Sequence, residues 1–546
     1  MLALLRRLRQ TLWVATVLVR SGMIAPLRPD KYLRMGAAGR RYGANPLVGF
    51  SLAAARAPHA VGLVDERGSL TWRELDRRID ALAVALPTLD PRRITTVGIL
   101  CRNHRGFVEA LAASARIGAD ALLLNTGFSG PQLADVLKRE GAQVLVYDEE
   151  FAGLVEHARS RVDGLVEVIG WADDEPAAPT VEQLVQAHHG ERPPRPDTAG
   201  RIILLTSGTT GTPKGARRSG SGGAGALAAM LSRIPWRAGE TVVVAAPMFH
   251  AWGFGQLAIA ASLTCTVVTR RRFDPEATLR MVEEHDATGL AVVPVMLERI
   301  IDLPADVLDR HPASSLRFAT ASGSRMRPDA VTAVMDRFGD VVYNSYNATE
   351  AGLITTAVPA DLRLAPDTAG RPVSGTEIEI LGDDLEPVEV GTVGRIAVLS
   401  DSKFEGYTSG DTKASHGDHM LSGDVGRLDE NGLLYVVGRD DEMIVSGGEN
   451  VYPLEVEQTL AEHPDVHEVA VVGVDDAAYG QRLAAFVVRR EGATAGVEDL
   501  KGHVKQHLAG YKVPRDVVFL AELPRNASGK IMKRELPFED AVEVAD

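Results

Sequence analysis

The sequence predicts an α/β protein with a large N-terminal domain of helix-covered sheets and a small α+β C-terminal domain. Short apolar runs alternate with helix-period segments from about residue 47 onward, the rhythm of parallel strands crossed over by helices. Near residue 440 the pattern breaks: the apolar run Gly432–Gly438 gives way to the charged link Arg439-Asp440-Asp441-Glu442, after which a second apolar pattern begins. The 546 residues, 45% hydrophobic and 24% charged, have the composition of an ordinary globular chain of three to four domains or subdomains.

Residues 1–41 carry nine basic side chains against the single acid Asp30, in a chain whose net charge is −14. At 100° per residue Leu4, Leu5, Leu8, Leu12, Ala15 and Val19 share one helical face. The apolar stretch is too short to span a bilayer, which needs about 20 residues. A basic amphipathic helix reads either as a membrane-surface segment or as a helix packed on the protein's own body. A signal peptide is a rival reading, but no small-x-small cleavage site follows cleanly.

Residues 71–86 begin Thr-x-x-Glu and keep apolar spacings of three and four, an N-capped helix. Ile94–Leu100 reads as a buried strand, Gly106–Ile117 as the helix after it, and Ala121–Asn125 and Val144–Tyr147 as further strands around a helix near 131–140. In the last part, helices are expected at 453–462 and 497–509 and strands at 467–474 and 483–490. These patterns divide the chain into a basic segment 1–41, a large domain 42–440 and a small domain 441–546. No period of 20–50 residues repeats, which excludes a solenoid. The acidic balance argues against nucleic acid as the main partner. Cys101 and Cys265 are the only cysteines and neither sits near a Cys or His at ligand spacing, so we expect a reducing, cytoplasmic setting without disulfides or structural zinc.

The strongest chemical signal follows the apolar run Ile202–Leu205: Thr206, Ser207, Gly208, Thr209, Thr210, Gly211, Thr212, Pro213, Lys214, Gly215. Small residues let backbone N–H groups approach a polyphosphate, hydroxyls add donors and Lys214 adds charge. It is not a Walker A loop, because Lys214 is followed by Gly215 and no helix-opening Ser or Thr.

This string resembles the phosphate-binding loop of the adenylate-forming superfamily: acyl-CoA synthetases, peptide-synthetase adenylation domains and luciferases. Five more segments resemble that family in the same order: Tyr346-Asn-Ala-Thr-Glu350, Ser422-Gly-Asp424, Gly438-Arg439-Asp-Asp-Glu-Met-Ile444, Ser446-Gly-Gly-Glu-Asn-Val-Tyr-Pro453 and Pro524-Arg-Asn-Ala-Ser-Gly-Lys530. The resemblance covers about residues 47–540 and is closest to fatty-acid–CoA ligases. It implies ATP, Mg²⁺ and coenzyme A as cosubstrates and cofactor, and a carboxylic acid activated as acyl-AMP before thioester formation. Transfer of the acyl group to a carrier protein is the alternative.

The resemblance also implies roles. The 206–215 loop would hold the β- and γ-phosphates, Glu350 would bind Mg²⁺ and Thr349 would touch the α-phosphate. Asn344, Ser345 and Tyr346, with Ser324 beside them, would form the adenine wall. Asp424 suits a ribose diol, Arg439 the ribose or phosphate, and Lys530 the transition state at the α-phosphate. The small domain would be mobile, pivoting at Asp441, and Ser446, Gly447 and Gly448 would then line a pantetheine tunnel. Phe249, His250, Trp252 and Phe254 resemble the acyl-pocket motif, His250 being also a catalytic candidate. No Lys or Asp there could pair with an amino acid's charges, so a fatty or other apolar acid is expected. Asn347 stands where the family has Gly, which adds side-chain bulk near adenine.

Overall fold

The computed structural model describes the chain except residues 1, 44–46, 207–213, 219–222, 349, 401–405, 407–411, 447–448, 477–479, 527–528 and 538–546. Contacts divide it into two compact units, residues 1–376 with 400–413 and residues 377–399 with 414–546. The second unit therefore takes in strands that precede the charged link at residue 440.

The first unit is built on two sheets. One has six strands in the order Val166–Trp171, Val144–Asp148, Thr96–Leu100, Asp120–Leu123, Ile202–Thr206, Lys214–Arg218, parallel except for the last. The other has nine, in the order Arg371–Pro372, Gly352–Ala357, Val342–Ala348, Phe318–Ser322, Gly289–Val292, Thr241–Val244, Thr266–Val268, Val61–Asp65, Gly68–Thr71. Its six central strands, from Val342–Ala348 to Val61–Asp65, are parallel. Thr96–Leu100, Val144–Asp148, Gly289–Val292 and Phe318–Ser322 are buried at every position, as expected of strands covered on both faces. Helix side chains such as Leu279, Val282, Leu297, Ile300, Val331 and Val334 close the core of the larger sheet over Val243, Leu290 and Val342.

The predicted helix at 71–86 runs Trp72–Ala85, and its capping box is complete: Glu74 N donates to Thr71 Oγ1 at 3.2 Å and Thr71 N donates to Glu74 Oε2 at 2.7 Å. The helices Arg105–Arg116 and Gly130–Arg139 and the strands between them also lie where the periodicity puts them.

Residues Leu2–Arg20 form a helix, but not on the expected face. Val17 and Leu18 are buried, with Trp13 and Val14 half-buried, while Leu8, Leu12 and Val19 stand 55–60% exposed. The segment after it is pinned to the first unit: Ala238 N donates to Ser21 O at 2.8 Å, and Arg56 donates to Gly22 O and Met23 O at 2.7 and 3.1 Å. Packing on the protein's own body is thus the reading that holds, and membrane contact is not borne out. Among the described residues no helix is long and apolar enough to cross a membrane.

The second unit holds a sheet of Thr376–Leu381, Gly394–Ser400, His419–Leu428 and Ser415–His416, with Leu434–Arg439 also paired to His419–Leu428. A further sheet runs Glu449–Val451, Ile444–Ser446, Gly480–Arg489, Val466–Asp476, with Asp516–Leu520 parallel to Gly480–Arg489. Helices Pro453–Ala461 and Val497–His507 seal one face through Val456, Leu460, Leu500 and Val504 over Ile444, Val471 and Val487. This is the α+β core expected for the end of the chain.

Candidate functional site

In the first unit strand pairing sets Asn344 and Ser345, expected at an adenine wall, beside Ala321 and Ser322. Ala321 lies opposite Asn344 and Ser322 opposite Ser345, and Ser322 Oγ donates to Ser345 O. Val342–Ala348 then turns back antiparallel as Gly352–Ala357, with Tyr346 opposite Thr355 and a bulge between Tyr346 and Asn347. Bulges re-aim side chains at site edges. Asn347 keeps a strand backbone, so its substitution for Gly needs no left-handed conformation. Glu350 sits buried in the turn of this hairpin, with 9% of its surface exposed. Ser324 follows the end of its strand, half-buried; Thr349 lies outside the described residues.

The segment expected to hold phosphate joins two strands of the other sheet. Thr206 pairs with Lys214 across the antiparallel ladder, so the segment between them begins and ends at one place. Lys214 opens a strand, not a helix, which separates the loop structurally from a Walker A. Ser207, Gly208, Thr209, Thr210, Gly211 and Thr212 lie outside the described residues.

The loop after Thr241–Val244 is clamped by a residue that sequence reasoning missed. Asn103 Nδ2 donates to Ala246 O at 2.9 Å, and Met248 N donates to Asn103 Oδ1 at 2.8 Å. Helix Ala251–Ser262 starts there with His250 at its N-cap and the Phe249 ring 4.5 Å from the imidazole. A Cβ on Gly253 would lie 2.2 Å from Pro247 O, so only glycine lets the helix start this close to the loop.

Beside this helix opens a cavity of about 220 Å³. Trp252, Gly255 and Gln256 line it from the helix, Asn347, Ala348 and Gly352 from the Glu350 hairpin, and Gln10 and Trp13 from the N-terminal helix. Of the expected acyl-pocket residues only Trp252 lines it, and Trp252 also donates to Val292 O at 2.9 Å. Phe249 is buried, His250 and Phe254 are half-buried, and none of the three is among the lining residues. Gln256 carried a readable signal, a lone amide in the apolar stretch Ala251–Ser262, whereas Gln10 and Trp13 did not.

In the second unit Asp424 and Arg439 are direct register partners on neighbouring strands, with Nη1 of Arg439 3.7 Å from Asp424 Oδ1. Arg439 also forks onto Asp441 at 2.8 and 3.3 Å. Hydrogen bonding to Asp441 and the Asp424 charge raise the Arg439 pKa above its ordinary value, so it is a permanent cation. The neighbouring acids are paired as well, Asp440 with Arg395 at 3.1 Å and Glu442 with Lys533 at 3.2 Å. Ser446 ends a strand that pairs back through Glu449; Gly447 and Gly448 lie outside the described residues. Lys530 is exposed, and its backbone is pinned by Asn526, whose Oδ1 accepts from Lys530 N and whose N donates to Lys530 O, both at 2.9 Å.

One cluster corrects the reading of the cysteines. Cys101, His104 and Asp148 converge, fully buried, with donor atoms within 4.8 Å of one another. His104 Nδ1 accepts from Gly106 N at 3.0 Å, so Nε2 carries the proton given to Asp148 at 2.7 Å, and burial pushes the Cys101 thiol well up. Both ring nitrogens are used, and the cluster caps helix Arg105–Arg116.

The AMP-binding enzyme family matches residues 50–408, and the AMP-binding enzyme C-terminal domain matches 455–530. The chain belongs to the AMP-binding enzyme family. A 2-succinylbenzoate–CoA ligase of Geobacillus sp. (strain WCH70) is 31% identical over 485 residues, covering 88% of this chain and 94% of that one. An indoleacetate–CoA ligase of Aromatoleum aromaticum is 34% identical over 482 residues, covering 86% and 92%. The o-succinylbenzoate CoA synthetase of Bacillus subtilis, solved with its acyl-adenylate intermediate, superposes with a TM-score of 0.76 at 26% identity over 90% of this chain and 97% of that one. This AMP-binding enzyme is therefore an AMP-forming acid–thiol ligase that uses ATP, Mg²⁺ and coenzyme A. The buried Glu350 carboxylate is a hard oxygen donor of the kind Mg²⁺ favours.

Proposed function

We propose that the protein converts an aryl-bearing carboxylic acid to its CoA thioester through an acyl-adenylate. Within the fatty or other apolar acids expected from the sequence, the cavity of about 220 Å³ beside the Glu350 hairpin carries this choice. An apolar cavity of ~150 Å³ holds benzene, so this one accommodates a substituted ring. Relatives named for succinylbenzoate and indoleacetate support the same choice.

In the first half-reaction a carboxylate oxygen attacks the α-phosphorus of ATP and pyrophosphate departs. In the second the CoA thiolate attacks the acyl carbon and AMP departs. Thr206, Lys214 and the loop between them grip the polyphosphate, with Thr349 at the α-phosphate; Glu350 would hold Mg²⁺, which would supply positive charge there. Asn344, Ser345, Tyr346 and Ser324 flank the adenine, and Asp424 and Arg439 hold the ribose. His250 starts the helix that walls the acid, and Lys530 stabilises charge on the α-phosphate. Residues 441–546 pivot at Asp441, bringing Ser446, Gly447 and Gly448 to the pantetheine arm.

Mass spectrometry of reactions with ATP, Mg²⁺ and acids from acetate to palmitate and aryl acids, with and without CoA, tests this. Aryl-CoA formed only with CoA is expected. Turnover of fatty acids alone overturns the aryl assignment, acyl-AMP without thioester points to a carrier acceptor, and no adenylate from any acid overturns the function.

A further inference from the structure

Gln256 is completely buried, yet neither its Oε1 nor its Nε2 has a hydrogen-bond partner among the described residues. Leaving a buried polar group unsatisfied is costly, and folded proteins rarely carry one without a use for it. Gln256 is among the residues that line the cavity beside the Glu350 hairpin, on a helix otherwise apolar around it. Trp13 and Gln10 face the same cavity from the N-terminal helix, which precedes the family match at residue 50. No described lining residue carries a charge.

We propose that the Gln256 amide reads a neutral hydrogen-bonding substituent on the acid, at an end of the site that Trp13 closes. An amide offers two donor hydrogens and one acceptor oxygen, which suits a hydroxyl, a carbonyl or a ring N–H. A second carboxylate would need a cation that this wall lacks. The Trp13 indole presents an apolar, aromatic surface against which a ring can lie. Selection of this kind is strong, because an acid lacking the substituent leaves the amide as unsatisfied as it is in the empty site. The inference rests on the proposed acid-activating function and adds its substrate class.

The test uses acids that differ only in the substituent: cinnamate against 3- and 4-hydroxycinnamate, and phenylacetate against 4-hydroxyphenylacetate, followed by pyrophosphate release with ATP and Mg²⁺. The full-length protein should prefer the hydroxylated member of at least one pair about 10–100-fold in kcat/KM. Gln256→Leu should collapse that ratio towards one, mainly through the KM of the hydroxylated acid. Trp13→Ala should raise the KM of the same acids. The unliganded Gln256→Leu protein should also melt about 1–3 °C higher, because an unsatisfied amide has been replaced by an apolar group. A purely structural glutamine predicts the reverse: a lower melting temperature and equal losses for both members of each pair. Adenylate formation that favours the unsubstituted acid in every pair overturns this inference alone, whereas no adenylate from any acid overturns the function beneath it.

Discussion

At Gly253 one missing methyl group decides how closely helix Ala251–Ser262 can start beside the loop before it. The Ala246–Pro247 backbone lies where a Cβ would stand, 2.2 Å from Pro247 O, and backbone held by Asn103 has little room to retreat. Gly253→Ala should therefore lower stability by about 2–4 kcal/mol and weaken acid binding, measured by urea unfolding and the KM for the acid. An unchanged unfolding midpoint would show that the loop gives way freely. Single residues were legible where chemistry fixes their type: Asp424 and Arg439 were named separately from their motifs and meet as register partners. That Gln256 lacks a partner among the described residues was not legible, since it depends on what Gln10, Trp13, the stretch 225–230, Asn347, Ala348, Gly352 and Leu353 bring to one place. The same holds for Phe249 and Phe254, whose aromatic character suits a core and a pocket wall equally well.

Elements were legible where the signal is local. The Thr71–Glu74 capping box and the largely apolar strand Thr96–Leu100 needed only their own neighbours to be read. The N-terminal helix was recognised as a helix but not by its docked side, because Trp13, Val14, Val17 and Leu18 form a second apolar stripe next to Leu8 and Leu12. Which stripe is buried depends on partners such as helix Gly223–Arg233, about two hundred residues away in sequence. Glu150 ties elements in the same non-local way. It pairs with Arg102, which follows strand Thr96–Leu100, and with Arg271 and Arg272, which follow Thr266–Val268 in the other sheet, at 2.7–3.1 Å. Burial alone pushes its carboxyl up, but hydrogen bonds from Arg102 and Arg272 bring it down to about 2. A folded pKa below the unfolded one adds stability that is present above about 4.5 and fades as pH falls towards 2. Glu150→Gln should cost about 1–2 kcal/mol at pH 7 after solvent screening. In urea unfolding the gap to the parent protein should narrow below pH 4.5, and a gap of constant size down to pH 3 would refute the coupling.

Across the whole molecule, the groups proposed for the reaction are divided between two compact units. Glu350, Tyr346, His250 and the strands of the phosphate loop belong to the first, and Asp424, Arg439, Asp441, Ser446 and Lys530 to the second. Sequence order revealed the motifs but not this partition, since residues 377–399 and 414–440 form a sheet of their own within the later unit, which no local pattern announces. The proposed pivot lies in a short turn, Asp440–Glu442, where each acid is paired to a cation. A rotation there must change the backbone angles of Asp441 and release the Arg439 fork, so the ion pair and the backbone freedom are separable contributions. Asp441→Pro removes the carboxylate and also fixes φ near −65°, whereas Asp441→Ala removes the carboxylate alone. If residue 441 is the pivot, Asp441→Pro should depress one half-reaction at least about tenfold more than the other, with pyrophosphate release and thioester formation from supplied acyl-AMP measured separately. Asp441→Ala should affect the two far more evenly. Equal behaviour of the two variants in both half-reactions would mean that the ion pair, not rotation about this residue, is what Asp441 contributes.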